Sequence, residues 1–131
     1  DGEAFEIGEI QFQTNSSSIN RTSLLMLELF SAYLLRNEAI GVHVIGHTDD
    51  IPLGSKTAAI YGDNRGLSTE RANTVLRMFE DLGVNPMQIS AQGYGPHVPK
   101  AANEDTESRG LNRRIEILVK YKVFSQNDWG N

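Results

Sequence analysis

Apolar residues recur along the chain at two different spacings, and these spacings predict which segments are helices and which are strands. Steps of three and four residues place the apolar side chains between Leu24 and Leu34 on one face of a first helix. The same steps predict a second helix with a buried stripe from Ala72 to Phe79. Shorter apolar stretches, some strictly alternating, predict four strands: residues 5–12, 42–47, 89–94 and 114–121.

Polar residues predict where the second helix begins and ends. Ser68 is a plausible N-cap, and Glu70 in the first turn would complement the helix dipole. Gly83 stands where a left-handed C-cap belongs, and Pro86 suits the first position of another helical turn. Two polar, turn-rich segments are predicted to be long loops: 48–66 and 95–112.

This order of elements predicts an α/β (α+β) sandwich, β-α-β-α-β-β, with the helices packed on one face of a small mixed sheet. In the last strand Ile115, Ile117 and Val119 would face the core, whereas the other face would be wet, with Arg114 there as a buttress or a surface residue. A length of 131 residues fits one domain. We expect that domain at residues 1–121, followed by a C-terminal tail or extension at 122–131.

Composition excludes several classes of function. There is no cysteine, so a thiol nucleophile and a cysteine-based metal site are excluded. A net charge of −5 with scattered Lys and Arg argues against binding to nucleic acid or to an anionic membrane surface. The longest apolar helical segment, 24–35, is shorter than the ~20 residues that span a bilayer. Because the chain begins at Asp1 rather than Met, we expect any export signal or membrane anchor to lie upstream.

Four polar clusters lie in or beside the two predicted loops. If the strands lie side by side, both loops leave one edge of the sheet and the clusters line a groove. The clusters are GHTDD at 46–50, Asn64 with LSTERA at 67–72, GYG at 93–95 with Pro99, and NRR at 112–114.

These clusters, in this order and at these intervals, resemble the signature of the OmpA-like domain. OmpA C-termini, peptidoglycan-associated lipoproteins and MotB-type flagellar stator subunits share that domain. The resemblance extends from about Phe5 to Tyr121 and implies the same β-α-β-α-β-β sandwich. It further implies a non-catalytic domain that binds peptidoglycan non-covalently, through the meso-diaminopimelate of the stem peptide, without cofactor or metal. The implied location is the periplasm, in a protein anchored in the outer or inner membrane. Members of the family occur as monomers and as homodimers.

The resemblance also assigns ligand-binding residues. The aspartate of the HTD motif is Asp49 and the arginine of the LSxxRA motif is Arg71, and in the family these two hold the amino-acid head group of diaminopimelate. Gln13 stands where the family often has an aspartate, so a contact from that position is not carried over. The same pocket would be lined by Thr48, Asn64, Leu67, Asn112 and Arg113.

The chemistry of these residue types agrees with that assignment. The free end of diaminopimelate is a zwitterion, and a site for it needs an anion and a cation close together. Arg71 can bind a carboxylate with two parallel N–H···O bonds, and Asp49 can accept from an ammonium. Backbone N–H groups near the start of the second helix would add donors to the carboxylate.

Other interpretations of the same residues remain open. Asp49 and Asp50 could cap a turn, and Asn112 with Arg113 could tie the two loops together. His43 and His47 share a strand face, so with Asp49 they suggest a zinc site and a metal-dependent hydrolase. The chain has no GxSxG or HExxH motif to support such an enzyme. The apolar residues of segment 50–66 suggest instead a protein-binding surface of an envelope or stator complex: Ile51, Leu53, Ile60 and Tyr61.

Overall fold

The computed structural model describes residues 4–7 and 21–121, and its strands form one mixed sheet. The order of the strands across this sheet is β1-β4-β2-β3. Strands β2 and β3 run parallel, and β4 runs antiparallel to both β1 and β2. The strands are β1 (Ala4–Ile7), β2 (Ile40–His47), β3 (Ile89–Gly95) and β4 (Arg114–Tyr121).

Helices precede or follow each of the central strands. They are α1 (Arg21–Leu35), α2 (Ser55–Tyr61), α3 (Asn64–Asp81) and α4 (Thr106–Asn112), with a short 3-10 turn at Pro86–Gln88. The predicted α/β class is confirmed. Within the part of the chain that the structure describes, no helix is long and apolar enough to cross a membrane. The predicted strand residues 8–12, Gln13 and the predicted tail 122–131 lie outside the described residues.

The core lies between one face of the sheet and helices α1 and α3. Val42 and Val44 of β2 point into it because alternate residues of a strand share a face. Each large apolar side chain buried there contributes about 1.5–3 kcal/mol relative to full exposure, and this packing holds α3 against β2 and β3. The remaining buried members include Leu27, Leu34, Val75, Phe79, Ile115, Ile117 and Val119.

The two segments predicted to be loops each contain a helix, and the predicted start of α3 is wrong. Asp63 is the N-cap, and its Oδ1 accepts a hydrogen bond from the backbone N–H of Gly66 at 2.9 Å. The helix therefore begins at Asn64, Ser68 lies inside it as a buried residue, and Glu70 falls in the second turn. At the other end Gly83 has φ +97°, and the predicted left-handed C-cap is confirmed.

The face of β4 opposite the core is more buried at Arg114 than predicted. Arg114 is buried, and its Nε donates to Glu116 Oε2 at 2.8 Å while its Nη2 donates to the Val98 carbonyl at 3.0 Å. A buried guanidinium with these partners ties the segment after β3 to the sheet. Of the two roles predicted for Arg114, the structure shows the buttress and not the surface residue, and the wet face does not extend to this position because ionic and backbone acceptors replace water there.

Candidate functional site

The first turns of α3 lie directly against the ends of β2 and β3. A Cβ atom on Gly46 would collide with the carbonyl oxygen of Ser68, and one on Gly93 would collide with the backbone nitrogen of Thr69. Only glycine at positions 46 and 93 therefore allows α3 to approach the two strands this closely. Ser68 Oγ completes the contact, because it accepts from the N–H of Gly95 at 2.8 Å. This packing determines where the residues one turn further along α3 are presented.

Asp49 lies two residues after the end of β2, at the edge of the sheet where α3 begins. Thr48 connects this position to β3, because its backbone N–H donates to the Gly95 carbonyl at 2.9 Å. The hydroxyl of Thr48 donates to the Asp49 carbonyl at 2.8 Å. The carboxylate is only 13% exposed, and its Oδ1 accepts from the N–H of Ile51 at 3.1 Å. Its other oxygen, Oδ2, accepts from Arg113 Nη1 at 2.7 Å.

Arg71 lies on α3 one turn after Ser68 and is 7% exposed. Burial lowers the pKa of its guanidinium to about 10. The electrostatic influence of Tyr61 and of Asp49 acts against this lowering, whereas the positive charge of Arg113 adds to it. Arg71 is therefore still a cation at neutral pH. Asp49 and Arg113 both influence the pKa of Arg71, and Asp49 and Arg113 are themselves paired at 2.7 Å.

Asn64, the first residue of α3, braces the loop that follows β2. Its Nδ2 donates to the Ile51 carbonyl at 3.0 Å and to the Asp49 carbonyl at 3.4 Å. Leu67 and Thr48, which the resemblance assigned to the lining of the pocket, are both buried.

Asn112 is 0% exposed, and its amide is fully occupied within the protein. Its Oδ1 accepts from the backbone N–H groups of Lys100 and Ala101 at 2.7 and 2.9 Å. Its Nδ2 donates to the Ala101 carbonyl and to Asn103 Oδ1, both at 2.8 Å. Since an amide offers two donors and one oxygen with two lone pairs, a ligand contact would require one of these bonds to break. The structure thus favours the role of a tie between loops for Asn112.

Helix α4 brings a second ion pair to the site that the sequence did not indicate. Arg109 Nε lies 3.2 Å from Asp50 Oδ1, so two arginines four residues apart on α4 and its C-cap engage two consecutive aspartates. Asp105 and Ser108 start the helix with a reciprocal capping box. That Asp-x-x-Ser pattern is visible in the sequence and was the available signal for α4.

The two histidines of β2 engage different partners. His43 lies within hydrogen-bonding distance of Ser90 Oγ at 2.6 Å and Gln92 Oε1 at 3.3 Å. His47 Nε2 lies 3.2 Å from Glu116 Oε1. Burial would raise the pKa of Glu116, but the hydrogen bond and charge of Arg114, together with His47, hold it below its usual range. Among residues 4–7 and 21–121, no three potential metal ligands are grouped closely enough to hold an ion.

The chain belongs to the OmpA family, because the OmpA family model matches residues 11–113. It is 30% identical over 111 residues to Motility protein B of Bacillus subtilis, a match that covers 84% of this chain and 41% of that protein. The chain thus spans well under half the length of this relative.

Two solved structures share the fold and extend the comparison. The periplasmic domain of Helicobacter pylori MotB superposes with a TM-score of 0.80 at 29% identity, covering 98% of this chain and 86% of that chain. The cell wall anchor of the T6SS from Pseudomonas aeruginosa superposes with a TM-score of 0.77 at 26% identity, covering 91% and 80%. These relatives confirm the resemblance to OmpA-like and MotB-type domains that the four polar clusters indicated.

Proposed function

We propose that this domain binds peptidoglycan non-covalently through the free amino-acid end of meso-diaminopimelate and so anchors an envelope protein to the cell wall. The observation that supports the proposal is the electrostatic influence of Asp49, an anion that follows β2, on Arg71, a buried cation of α3. Membership of the OmpA family and the similarity to a cell wall anchor support the same function.

The chemistry of the site suits a zwitterion. Arg71 would take the ligand carboxylate through paired N–H donors, and Asp49 would accept from the ammonium. Each charge-assisted contact contributes about 1.5–3 kcal/mol net, so two or three contacts give an affinity in the micromolar range or weaker. Weak binding suits a tethered domain beside a polymer, because many copies of the ligand raise the effective concentration.

The test is co-sedimentation of the 131-residue chain with purified sacculi. Asp49→Asn and Arg71→Lys keep the size of the side chains and are expected to weaken retention roughly tenfold or more. Asp81→Asn and Arg77→Lys change exposed residues of α3 far along the helix and serve as matched controls. Retention of both site variants at the level of the parent, with folding confirmed by circular dichroism, would refute the assignment of the site.

Specificity for diaminopimelate is tested by competition. Free meso-diaminopimelate is expected to release the chain from sacculi, whereas pimelate, which lacks both amines, is expected to be a poor competitor.

We further propose that the domain is not an enzyme. The same sample tests this, because the muropeptides should remain uncleaved after long incubation. We place the domain in the periplasm, in line with the periplasmic domain of MotB that shares its fold. A homodimer, which the family resemblance allows, would appear as a doubled mass in sedimentation.

One observation favours a second candidate function, docking of a protein partner. Within α2, which the structure describes in full, no residue is buried, and Ile60 is 73% exposed. Ile51, in the loop that leads to α2, is 52% exposed. Ile60→Ser would abolish such docking while retention on sacculi stayed unchanged; a loss of retention would instead place α2 in the wall-binding surface.

A further inference from the structure

Arg113 is the charged partner of Asp49 in the described structure. Oδ1 of Asp49 accepts from the N–H of Ile51 at 3.1 Å, and Oδ2 accepts from Arg113 Nη1 at 2.7 Å. Each oxygen keeps a second lone pair, but an ammonium that joined Arg113 at Asp49 would place two cations against one carboxylate, so exchange is electrostatically favoured over sharing. The Ile51 donor is a backbone group braced by Asn64, so the side chain of Arg113 is the donor that can be exchanged.

Exposure separates the two arginines of the site. The Arg113 side chain is 47% exposed, whereas Arg71 is 7% exposed as a residue. Asp49 is only 13% exposed, so its carboxylate is poorly solvated without a cation beside it, and Arg113 leaves it only when another cation takes its place. Arg113 itself is solvated once it has turned away, because its side chain is half-exposed, while Arg71 stays buried on α3.

The backbone that carries Arg113 has its own attachments and does not depend on the pair with Asp49. Arg109, one turn earlier, pairs with Asp50 at 3.2 Å and donates through Nη2 to the Asn103 carbonyl at 3.1 Å. Asn112, the residue before Arg113, makes four hydrogen bonds to the segment 100–103. The exchange at Asp49 is thus a movement of one side chain.

We infer that Arg113 is an exchangeable counter-ion that makes the ammonium and carboxylate of the ligand bind cooperatively: the ammonium replaces Arg113 at Asp49, and Arg113 then joins Arg71 at the carboxylate. The inference rests on the proposed function and deepens it by naming the ligand class as a zwitterion rather than a simple amine or a simple carboxylate.

The charges of the site explain the cooperativity. A simple amine that displaced Arg113 would leave two guanidiniums near each other with no new acceptor. A simple carboxylate could bind Arg71, but Asp49 would keep Arg113 and gain nothing. Only a ligand with both groups gives Asp49 a new cation and gives Arg71 and Arg113 a common carboxylate, so each half of the ligand binds more strongly when the other half is present.

The test uses four synthetic stem tripeptides that end in meso-diaminopimelate. One has its side-chain amine and carboxylate free, one is acetylated on that amine, one is amidated on that carboxylate, and one carries both changes. In the parent chain, acetylation is expected to weaken binding at least about fivefold more when the carboxylate is free than when it is amidated, because fivefold corresponds to the upper end of the range for exposed ion pairs and Asp49 is mostly buried. In Arg113→Gln this difference is expected to vanish, and in Arg113→Lys part of it should remain.

The matched control is Arg77→Gln, which removes another exposed ion pair, to Glu70 at 3.5 Å, and should leave the fivefold difference intact. The inference is overturned if Arg113→Gln keeps the difference, or if this variant is folded but binds none of the peptides, which would make Arg113 an indispensable contact. A parent chain that binds the free tripeptide without any cooperativity also overturns it, while the proposed function stands. A parent chain that binds none of the tripeptides overturns both.

Discussion

The hydroxyl of Ser68 joins α3 to the sheet, and we expect its removal in Ser68→Ala to lower both stability and binding. Ser68 is fully buried, its Oγ donates to the Arg65 carbonyl at 2.9 Å, and the same atom accepts from the N–H of Gly95 at 2.8 Å. In Ser68→Ala the N–H of Gly95 loses this buried acceptor. The helix start and the end of β3 also lose their side-chain connection one turn before Arg71.

The magnitude follows from two opposing effects. A buried donor left without an acceptor costs about 1–3 kcal/mol. Alanine has a higher helix propensity than serine, which returns roughly 0.5 kcal/mol at an internal position of α3. The free energy of unfolding should therefore fall by about 1.5 kcal/mol in Ser68→Ala. Retention on sacculi should also weaken, because Arg71 is positioned by the same turns of the helix.

Urea denaturation measures the first effect through the midpoint concentration at an unchanged m-value. Thr74→Ala is the matched control: Thr74 Oγ1 donates to the Glu70 carbonyl of the same helix at 2.9 Å and makes no bond to the sheet in the described structure. This variant should be as stable as the parent or slightly more stable. If Ser68→Ala also denatures at the midpoint of the parent, the contact between Ser68 and Gly95 does not hold α3 in place, and the account of how Arg71 is positioned is refuted.

Three further changes test other parts of the structure. Phe79→Ala, at the centre of the core, should lower the free energy of unfolding by about 3–5 kcal/mol; a loss below 1 kcal/mol in calorimetry would contradict the packing described. Asn112→Ala should cost about 2 kcal/mol or more and should expose segment 100–103 to protease, because four hydrogen bonds are lost; unchanged digestion would argue against the tie. Since the pKa of Glu116 in the folded state lies below the ordinary value of 4.5 for a glutamate, the unfolded chain binds more protons in acid. This residue stabilises the fold above that pH and the effect is lost as pH falls through the folded pKa. Glu116→Gln should therefore show a shallower decline of Tm between pH 5 and more acidic values, and an identical decline would refute that role.

The sequence predicts the core elements because their periodicity reflects burial. The alternation in β4 and the three- and four-residue steps in α1 and α3 correspond to side chains that the structure buries. Helices α2 and α4 could not be found in this way, because each has seven residues, α2 buries none, and Asn112 is the buried residue of α4. A helix without an apolar face carries no periodic signal, and only its capping residues remain to indicate it.

The candidate site could be predicted in its members but not in its pairings. The resemblance to the OmpA-like domain assigned Asp49, Arg71 and Arg113 to one site, whereas nothing in the sequence indicates that Asp49 pairs with Arg113 or that Asp50 pairs with Arg109. These pairs depend on where α4 begins and ends: the capping box at Asp105 starts the helix, and Asn112 joins its last residue to segment 100–103. Such polar contacts between distant segments have no counterpart in hydrophobic periodicity.

The different burial of the two arginines suggests how one site can be both fixed and selective. Keeping Arg71 charged in a buried position is costly, as its lowered pKa of about 10 records. Burial is favourable for ligand binding if it holds the guanidinium in the orientation that a carboxylate needs. The Arg71 side chain then loses little conformational entropy when the ligand binds. An exposed Arg113 has the opposite property, since it exchanges partners easily and responds to whether an ammonium is present. Exchanging the two environments, with a mobile Arg71 and a buried Arg113, would lose both the preformed carboxylate site and the selection against simple amines.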